Sequence, residues 1–257
     1  MYFANDKSGG RIYIGDAKAG DSFFCPACGE KMVIKRGNIY AHHFAHMPGM
    51  DCDRWYTSKL SDWHIKMQRY FRPENREIII WNSQHTEYHI ADIALKTSSG
   101  AFVFEFQHSP ISQTEFIARS SFYIKCGYSL IWIFDFCECK KYKRILIADK
   151  HLSKNACRLV WPGKDRIRFL DNLDFSAAKN NLHIIFYLRT GEGQKKLHSP
   201  NGYYPWETWE YVNPLNLSRY FAVLHLDKFT DVSDFIAHCY TEREFCQKIN
   251  RLIGRSI

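Results

Sequence analysis

The sequence lacks any apolar run approaching the roughly 20 residues that a membrane-spanning helix needs. Its longest candidates, Glu77–Trp81 and Ser129–Phe134, are strand-sized. It also lacks the basic start and apolar stretch of a secretion signal, since it opens MYFANDKSGG. No internal repeat or low-complexity segment is visible, which sets aside repeat architectures and compositionally biased tails. These absences point to a cytoplasmic protein that no membrane holds. They also decide how cysteine is read. Nine cysteines, odd in number and unevenly spaced, are expected as reduced thiols, some on a metal, and not as a disulfide framework.

What is present is globular. The 257 residues suffice for one or two domains and a buried core. Hydrophobic residues at 46% and charged residues at 24% exclude a disordered chain. Lys and Arg total 35 against 27 Asp and Glu, and the formal +8 favours a polyanionic partner. Texture divides the chain in three: short strand-like pieces and a Cys/His patch over 1–55, clear helix and strand signals over 56–140, and a basic, aromatic extension over 141–257.

The middle part reads most cleanly. Leu60, Trp63, His64, Met67 and Tyr70/Phe71 keep the spacing of one apolar helix face, which predicts a helix from Thr57 to about Arg72, ended by Pro73. Strands are expected at Glu77–Trp81, through HTEYHIADIALKT, and through AFVFEFQ after a turn at Ser98–Gly100. A helix over Gln113–Cys126, broken by Gly127, leads to the buried strand SLIWIF. The order α-β-β-β-α-β predicts helices packed on a mixed sheet, an α/β class. Further strands are expected at Arg144–Ala148, Arg166–Leu170, His183–Arg189 and Phe221–Leu226, and an amphipathic helix over Val232–Ile253.

Two constellations carry chemistry. Cys25-x2-Cys28 followed by Gly29 has the form of a zinc knuckle, whose tight turn aims two thiolates at one point. The segment MVIK-RGN-IYAHHF reads as a hairpin that returns His43 and His46 to the knuckle, closing a tetrahedral site. Cys52 can replace one histidine, and the sequence does not decide which. A structural Zn2+ there would staple a ribbon with little core of its own. In the second constellation, the turn at Ser98–Gly100 brings Asp92 near Glu105, with Gln107 on the same face as Glu105. Two carboxylates and an amide suit a hard divalent cation that activates water on a phosphodiester. The alternative is an edge position in which Glu105 faces solvent or pairs with Arg119. Arg119 and Tyr123, four apart on one helical face, either face this groove to hold phosphate and base, or pair with a glutamate and fill the core.

Basic and aromatic clusters at KKYKR (Lys140–Arg144), KDRIR (Lys164–Arg168) and GYYPWETWEY (Gly202–Tyr211) are read either as a DNA-tracking surface or as solvated faces and a core corner.

The α-β-β-β-α-β order with Asp92…Glu105-x-Gln107 resembles the PD-(D/E)xK nuclease fold. More narrowly, CPAC, HFAH (His43–His46), SDWH (Ser61–His64) and ADIAL…FEFQHSPIS followed by Arg119 and Tyr123 resemble the competence protein CoiA family over about residues 20–135. The resemblance implies a DNA nuclease using Mg2+ or Mn2+, with Asp92 and Glu105 as metal-binding acids and Gln107 where the wider superfamily often carries Lys. It implies that Asp62 and His64 on the first helix belong to the site. His108, Arg119 and Gln84 are candidates for the missing donor, and His108 for contact with nucleic acid. Implied partners are DNA, single-stranded DNA included, and a recombination or defence protein. Alternatives are a catalytically silent DNA-binding accessory protein and an anti-phage effector. Glu105→Ala is expected to abolish cleavage and leave folding intact.

Overall fold

Near-continuous apolar runs such as Phe102–Phe106 and Leu130–Phe134 fit strands covered on both faces, and every residue in them is buried. The computed structural model describes residues 1–38, 41–49, 52, 61–109, 111–135, 145–147, 156–160, 181–189, 219–224 and 234–252. The architecture is mixed α/β with a mixed sheet. Two compact units, Met1–Leu95 and Lys96–Ile257, divide the chain, with the boundary inside the strand Tyr88–Thr97. The expected boundaries at 55/56 and 140/141 do not coincide with it.

In the first unit, β1 (Phe3–Asn5), β2 (Arg11–Tyr13), β3 (Phe23–Phe24), β4 (Lys31–Lys35) and β5 (His43–His46) form an antiparallel sheet in the order β2-β1-β3-β4-β5. The expected β4–β5 pairing forms, with Met32 opposite His46 and Lys35 opposite His43. Helix α1 (Asp62–Gln68) is shorter than the expected Thr57–Arg72. Ser61 has extended backbone and its side chain accepts from the His64 N–H, so it is an N-cap and the helix begins after it. Residues 53–60 lie outside the described set. A 3-10 turn at Pro73–Asn75 leads into β6 (Arg76–Trp81), antiparallel to β7 (Tyr88–Thr97). The core of this unit joins Phe3, Phe23, Met32 and Phe44 to Ile90 of β7. The ribbon strands therefore do not stand on a core of their own.

Glu77 ties β6 to β1. Its φ of 49° is unusual for a side-chain-bearing residue, and it interrupts the ladder between the pairs Arg76↔Ile93 and Ile78↔Ala91. The buried carboxylate accepts from the backbone N–H groups of Tyr2 (2.8 Å) and Phe3 (3.1 Å). Glu77→Ala removes the acceptor for two buried donors, each worth about 1–3 kcal/mol when left unmet. The expected loss is about 2–4 kcal/mol in urea unfolding. An unfolding midpoint equal to wild type would show that water replaces the carboxylate.

In the second unit, β8 (Gly100–Gln107) is followed by α2 (Gln113–Lys125) and β9 (Ser129–Asp135), and β8 and β9 are parallel. Gly127, at φ 84°, provides the left-handed residue that ends α2, with its N–H on the Ile124 carbonyl and the Tyr128 N–H on the Tyr123 carbonyl. Phe116 of α2 packs on Trp132 at 5.2 Å. Five more strands follow: β10 (Ile145–Ile147), β11 (Ala156–Val160), β12 (Leu182–Arg189), β13 (Arg219–Leu224) and β14 (Asp234–Tyr240). They continue the sheet as β8-β9-β12-β13-β14-β11-β10, entered by a parallel β9–β12 pair. The region 141–257 is therefore no separate body in its described strands.

The expected helix over Val232–Ile253 is corrected. Asp234–Tyr240 is strand β14, and the helix, α3, spans Glu242–Leu252. A capping box sets its start: Thr241 Oγ1 accepts from the Glu244 N–H, and Glu244 accepts from the Thr241 N–H at 2.8 Å. Phe245 of α3 stacks on Phe221 at 3.9 Å. The expected strand Arg166–Leu170 and the three basic and aromatic clusters lie outside the described residues. No helix among the described residues is long and apolar enough to cross a membrane.

Candidate functional site

In the first unit, four ligating side chains converge. The ligand atoms of Cys25, Cys28, His46 and Cys52 all lie within 4.8 Å of one another. A tetrahedral zinc with three sulfur ligands and one nitrogen sets its ligand atoms about 3.5–3.8 Å apart. Cys25 Sγ and Cys52 Sγ are 3.6 Å apart, and Cys28 Sγ and His46 Nε2 are 3.3 Å apart. The donor set and its spacing fit, so this cluster can hold a metal ion such as zinc. Gly29, at φ 75°, allows the knuckle turn in which its N–H donates to the Cys25 carbonyl at 2.9 Å. Of the alternatives left open by the sequence, His46 and Cys52 join the knuckle and His43 does not. Strand parity is the reason: His46 shares a face with fully buried Phe44, while His43 is turned the other way, its Nδ1 2.8 Å from the Ala41 carbonyl.

The three thiols are electrostatically unequal. The hydrogen bond from Cys52 pulls the Cys25 thiol down to about 5. That same contact, then burial, pushes the Cys52 thiol up, and burial pushes Cys28 up. One thiolate is thus favoured in the bare cluster, and a dication is what brings all three to the thiolate form. The Tyr88 hydroxyl lies 3.0 Å from Cys52 Sγ. Burial first, then the Cys52 contact, raises its pKa and keeps it protonated.

The acidic strands bury their carboxylates. Asp92 of β7, in the first unit, is 4% exposed, and its Oδ1 lies 3.0 Å from His64 Nε2 of α1. Gln68, one turn further along α1, places Nε2 3.3 Å from the same imidazole nitrogen. The helix spacing that puts His64 over β7 turns Asp62, two residues earlier, away. Asp62 is exposed in the first turn, where it complements the helix dipole. The expected place of Asp62 in the site thus falls on an exposed carboxylate, whereas Asp92 is buried.

In the second unit, Glu105 of β8 is fully buried and pairs with the Arg119 guanidinium of α2. Arg119 also lies 3.5 Å from Glu115, one turn earlier, and over the Trp132 ring at 5.0 Å. Tyr123 is 1% exposed. The expected contacts of Arg119 and Tyr123 with phosphate and base are therefore not what their burial offers. Arg119 is committed to two glutamates and Tyr123 to the core, the second of the two readings of that helix face. Gln107 Nε2 donates to the Ser109 carbonyl at 2.5 Å. His108 Nδ1 lies 3.1 Å from Asp135 Oδ2, a carboxylate with no exposed surface at the end of β9. Gln84 lies exposed in the β6–β7 turn.

Sequence reasoning missed Tyr88, Gln68 and Asp135. The signal for Asp135 was an acid closing the apolar run SLIWIF. Gln68 stands four after His64 on one helix face. Nothing local marks Tyr88.

The chain matches two family models: competence protein CoiA, N-terminal domain, over residues 11–54, and competence protein CoiA, nuclease-like domain, over residues 85–189. The first match contains all four residues of the Cys3His cluster, and the second contains Asp92, Glu105, Gln107, His108 and Arg119. Helix α1, with His64, falls between them. Neither a curated protein nor a solved structure matches the chain. With both domain matches in order, on the segments that carry the thiolate cluster and the acidic strands, the chain belongs to the competence protein CoiA-like family.

Proposed function

We propose that this chain is a divalent-metal-dependent deoxyribonuclease of the PD-(D/E)xK type, acting in DNA processing during recombination or transformation. The observation that carries the reading is the burial of one carboxylate within the apolar stretch of each of two strands, Asp92 in β7 and Glu105 in β8. Buried carboxylates cost several kcal/mol unless compensated, and packing gives no reason to keep them. The nuclease-like family match over both strands adds to it. In this reading Asp92 and Glu105 are the residues that hold Mg2+ or Mn2+. When bound, the cation supplies Lewis-acid polarisation of the phosphodiester and lowers the pKa of water. Hard oxygen donors suit such ions. Gln107, two residues after Glu105 on the same face of β8, adds an amide beside it. His64 and Gln68 fix the orientation of the Asp92 carboxylate, and Arg119 holds that of Glu105. The Cys3His cluster holds a structural Zn2+.

One observation favours the second reading, a catalytically silent DNA-binding accessory protein. Each acid already has a protein partner: the His64 imidazole lies 3.0 Å from Asp92, and the Arg119 guanidinium pairs with Glu105. One assay separates the two. Purified protein is incubated with single- and double-stranded DNA, with Mg2+, with Mn2+, or with chelator. The nuclease reading expects scission that needs the divalent ion and is lost in Asp92→Asn. No scission, alongside tight binding that weakens steeply with salt, selects the silent scaffold.

A further inference from the structure

Three of the four cluster ligands are set by local structure. Cys25 and Cys28 are aimed by the knuckle turn, and His46 by its place in the β4–β5 ladder, opposite Met32. Cys52 belongs to neither helix nor strand, so no ladder orients its side chain. Its sulfur lies 3.6 Å from Cys25 Sγ, another ligand, and 3.0 Å from the hydroxyl of Tyr88, which is not a ligand. That hydroxyl also stands 3.3 Å from the Cys52 backbone carbonyl. Tyr88 opens β7, the strand that carries Asp92 four residues on.

We infer that the Tyr88 hydroxyl is the outer-sphere donor that positions the Cys52 thiolate for the metal ion, and that the metal centre thereby clamps the start of β7. The inference rests on the reading of the Cys3His cluster as a metal centre. A thiol and a phenol can each donate to the other. A thiolate has no proton, so once Cys52 is a ligand the only donor in this contact is the tyrosine. The hydroxyl then points its hydrogen at sulfur, and the carbonyl at 3.3 Å remains the alternative acceptor on the same residue. Such outer-sphere donors fix ligand orientation, and their loss typically weakens metal affinity 10–100-fold. The clamp gives a physical reason for Cys52, and not His43, to be the fourth ligand. A histidine such as half-buried His43, on the other face of β5, would keep the tetrahedron within the ribbon. Cys52 closes it through a residue of β7.

The test uses the full-length protein, Co2+ as a spectroscopic probe and Zn2+ affinity by competition against a chelator. Tyr88→Phe keeps the ring that packs on Trp81 at 4.7 Å and removes only the hydroxyl. Trp81→Ala removes that packing and keeps the hydroxyl. The expected result for Tyr88→Phe is an unchanged tetrahedral three-thiolate, one-imidazole Co2+ spectrum in the ligand-field region. Its thiolate-to-metal band moves to lower energy, because a thiolate that has lost a hydrogen bond gives up charge more easily, and its Zn2+ affinity falls about tenfold. Trp81→Ala keeps its affinity within about twofold of wild type on the same reasoning. Three outcomes overturn the proposal: wild-type affinity with an unmoved band in Tyr88→Phe, an equal loss in Trp81→Ala, or a Tyr88→Phe protein that does not fold in the presence of zinc, which would make the hydroxyl a general structural requirement. A wild-type protein with no thiolate bands on Co2+ loading fails differently: it removes the metal centre itself.

Discussion

Glu105→Gln is expected to lower divalent-dependent cleavage of DNA at least about a thousandfold while the protein stays folded. A metal ligand is asked for several kcal/mol of transition-state stabilisation, and about 4 kcal/mol corresponds to three orders of magnitude. The structure changes which substitution tests this cleanly. Glu105→Ala, expected from the sequence to leave folding intact, deletes the buried counter-charge of Arg119. Removing one partner of a buried pair costs about 3–5 kcal/mol. Inactivity of an alanine variant would then report instability as readily as lost metal. Glutamine keeps the shape and an oxygen that can accept from the guanidinium. The same logic predicts that Arg119→Met loses about 3–5 kcal/mol in urea unfolding, and that Glu105→Gln combined with Arg119→Met recovers most of it. Strictly additive losses would show that the pair is not coupled. Full nuclease activity in folded Glu105→Gln would remove Glu105 from the site.

The elements nearest this site were the most legible. Period-two alternation and the Ser98–Gly100 turn located β7 and β8 to within a few residues, because an acid in an apolar strand is conspicuous. What the strand acids touch was not legible. Asp92 meets His64, 28 positions earlier, and only tertiary packing of α1 on β7 makes that pair. For α2 the spacing correctly set Arg119 and Tyr123 on one face, but spacing does not say whether a face looks outward or onto Trp132. Over Val232–Ile253 apolar residues satisfied a helical period loosely, while the stronger local signal, Thr241 with Glu244 three residues on, marked where the helix starts. Strand β11 pairs with β14, whose first residue, Asp234, lies 74 positions past the last residue of β11, Val160, and a partner so far along the chain leaves little trace in a five-residue segment. In the ribbon, two-residue parity sets His43 and His46 on opposite faces of β5, a constraint that the expectation of both histidines at the knuckle left unused. The fourth ligand was the undecidable part, because Cys52 is held by no regular element.

That fourth ligand yields the last large effect. Protein purified without added metal is expected to carry about one zinc per chain by elemental analysis, and Cys52→Ser to carry less than about half, as the closed four-ligand site of structural zinc requires. His43→Ala is expected to retain its zinc, since His43 is turned to the Ala41 carbonyl and not to the cluster. Stability should follow the metal. Binding to the folded state alone adds RT ln(1 + [L]/Kd), about 4 kcal/mol when free zinc stands a thousandfold above Kd. For a chain of this size that is about 8–16 °C in Tm. Zinc fingers that depend wholly on metal unfold without it. Here Phe3, Phe23, Met32 and Phe44 share a core with Ile90 of β7, so the chelated protein is expected to stay folded with a lower Tm. Cys52→Ser should melt near the chelated wild type and gain nothing from added zinc, whereas His43→Ala should melt with the zinc-loaded wild type. The reverse pattern, zinc lost with His43 and kept with Cys52, would exchange the two residues in the cluster.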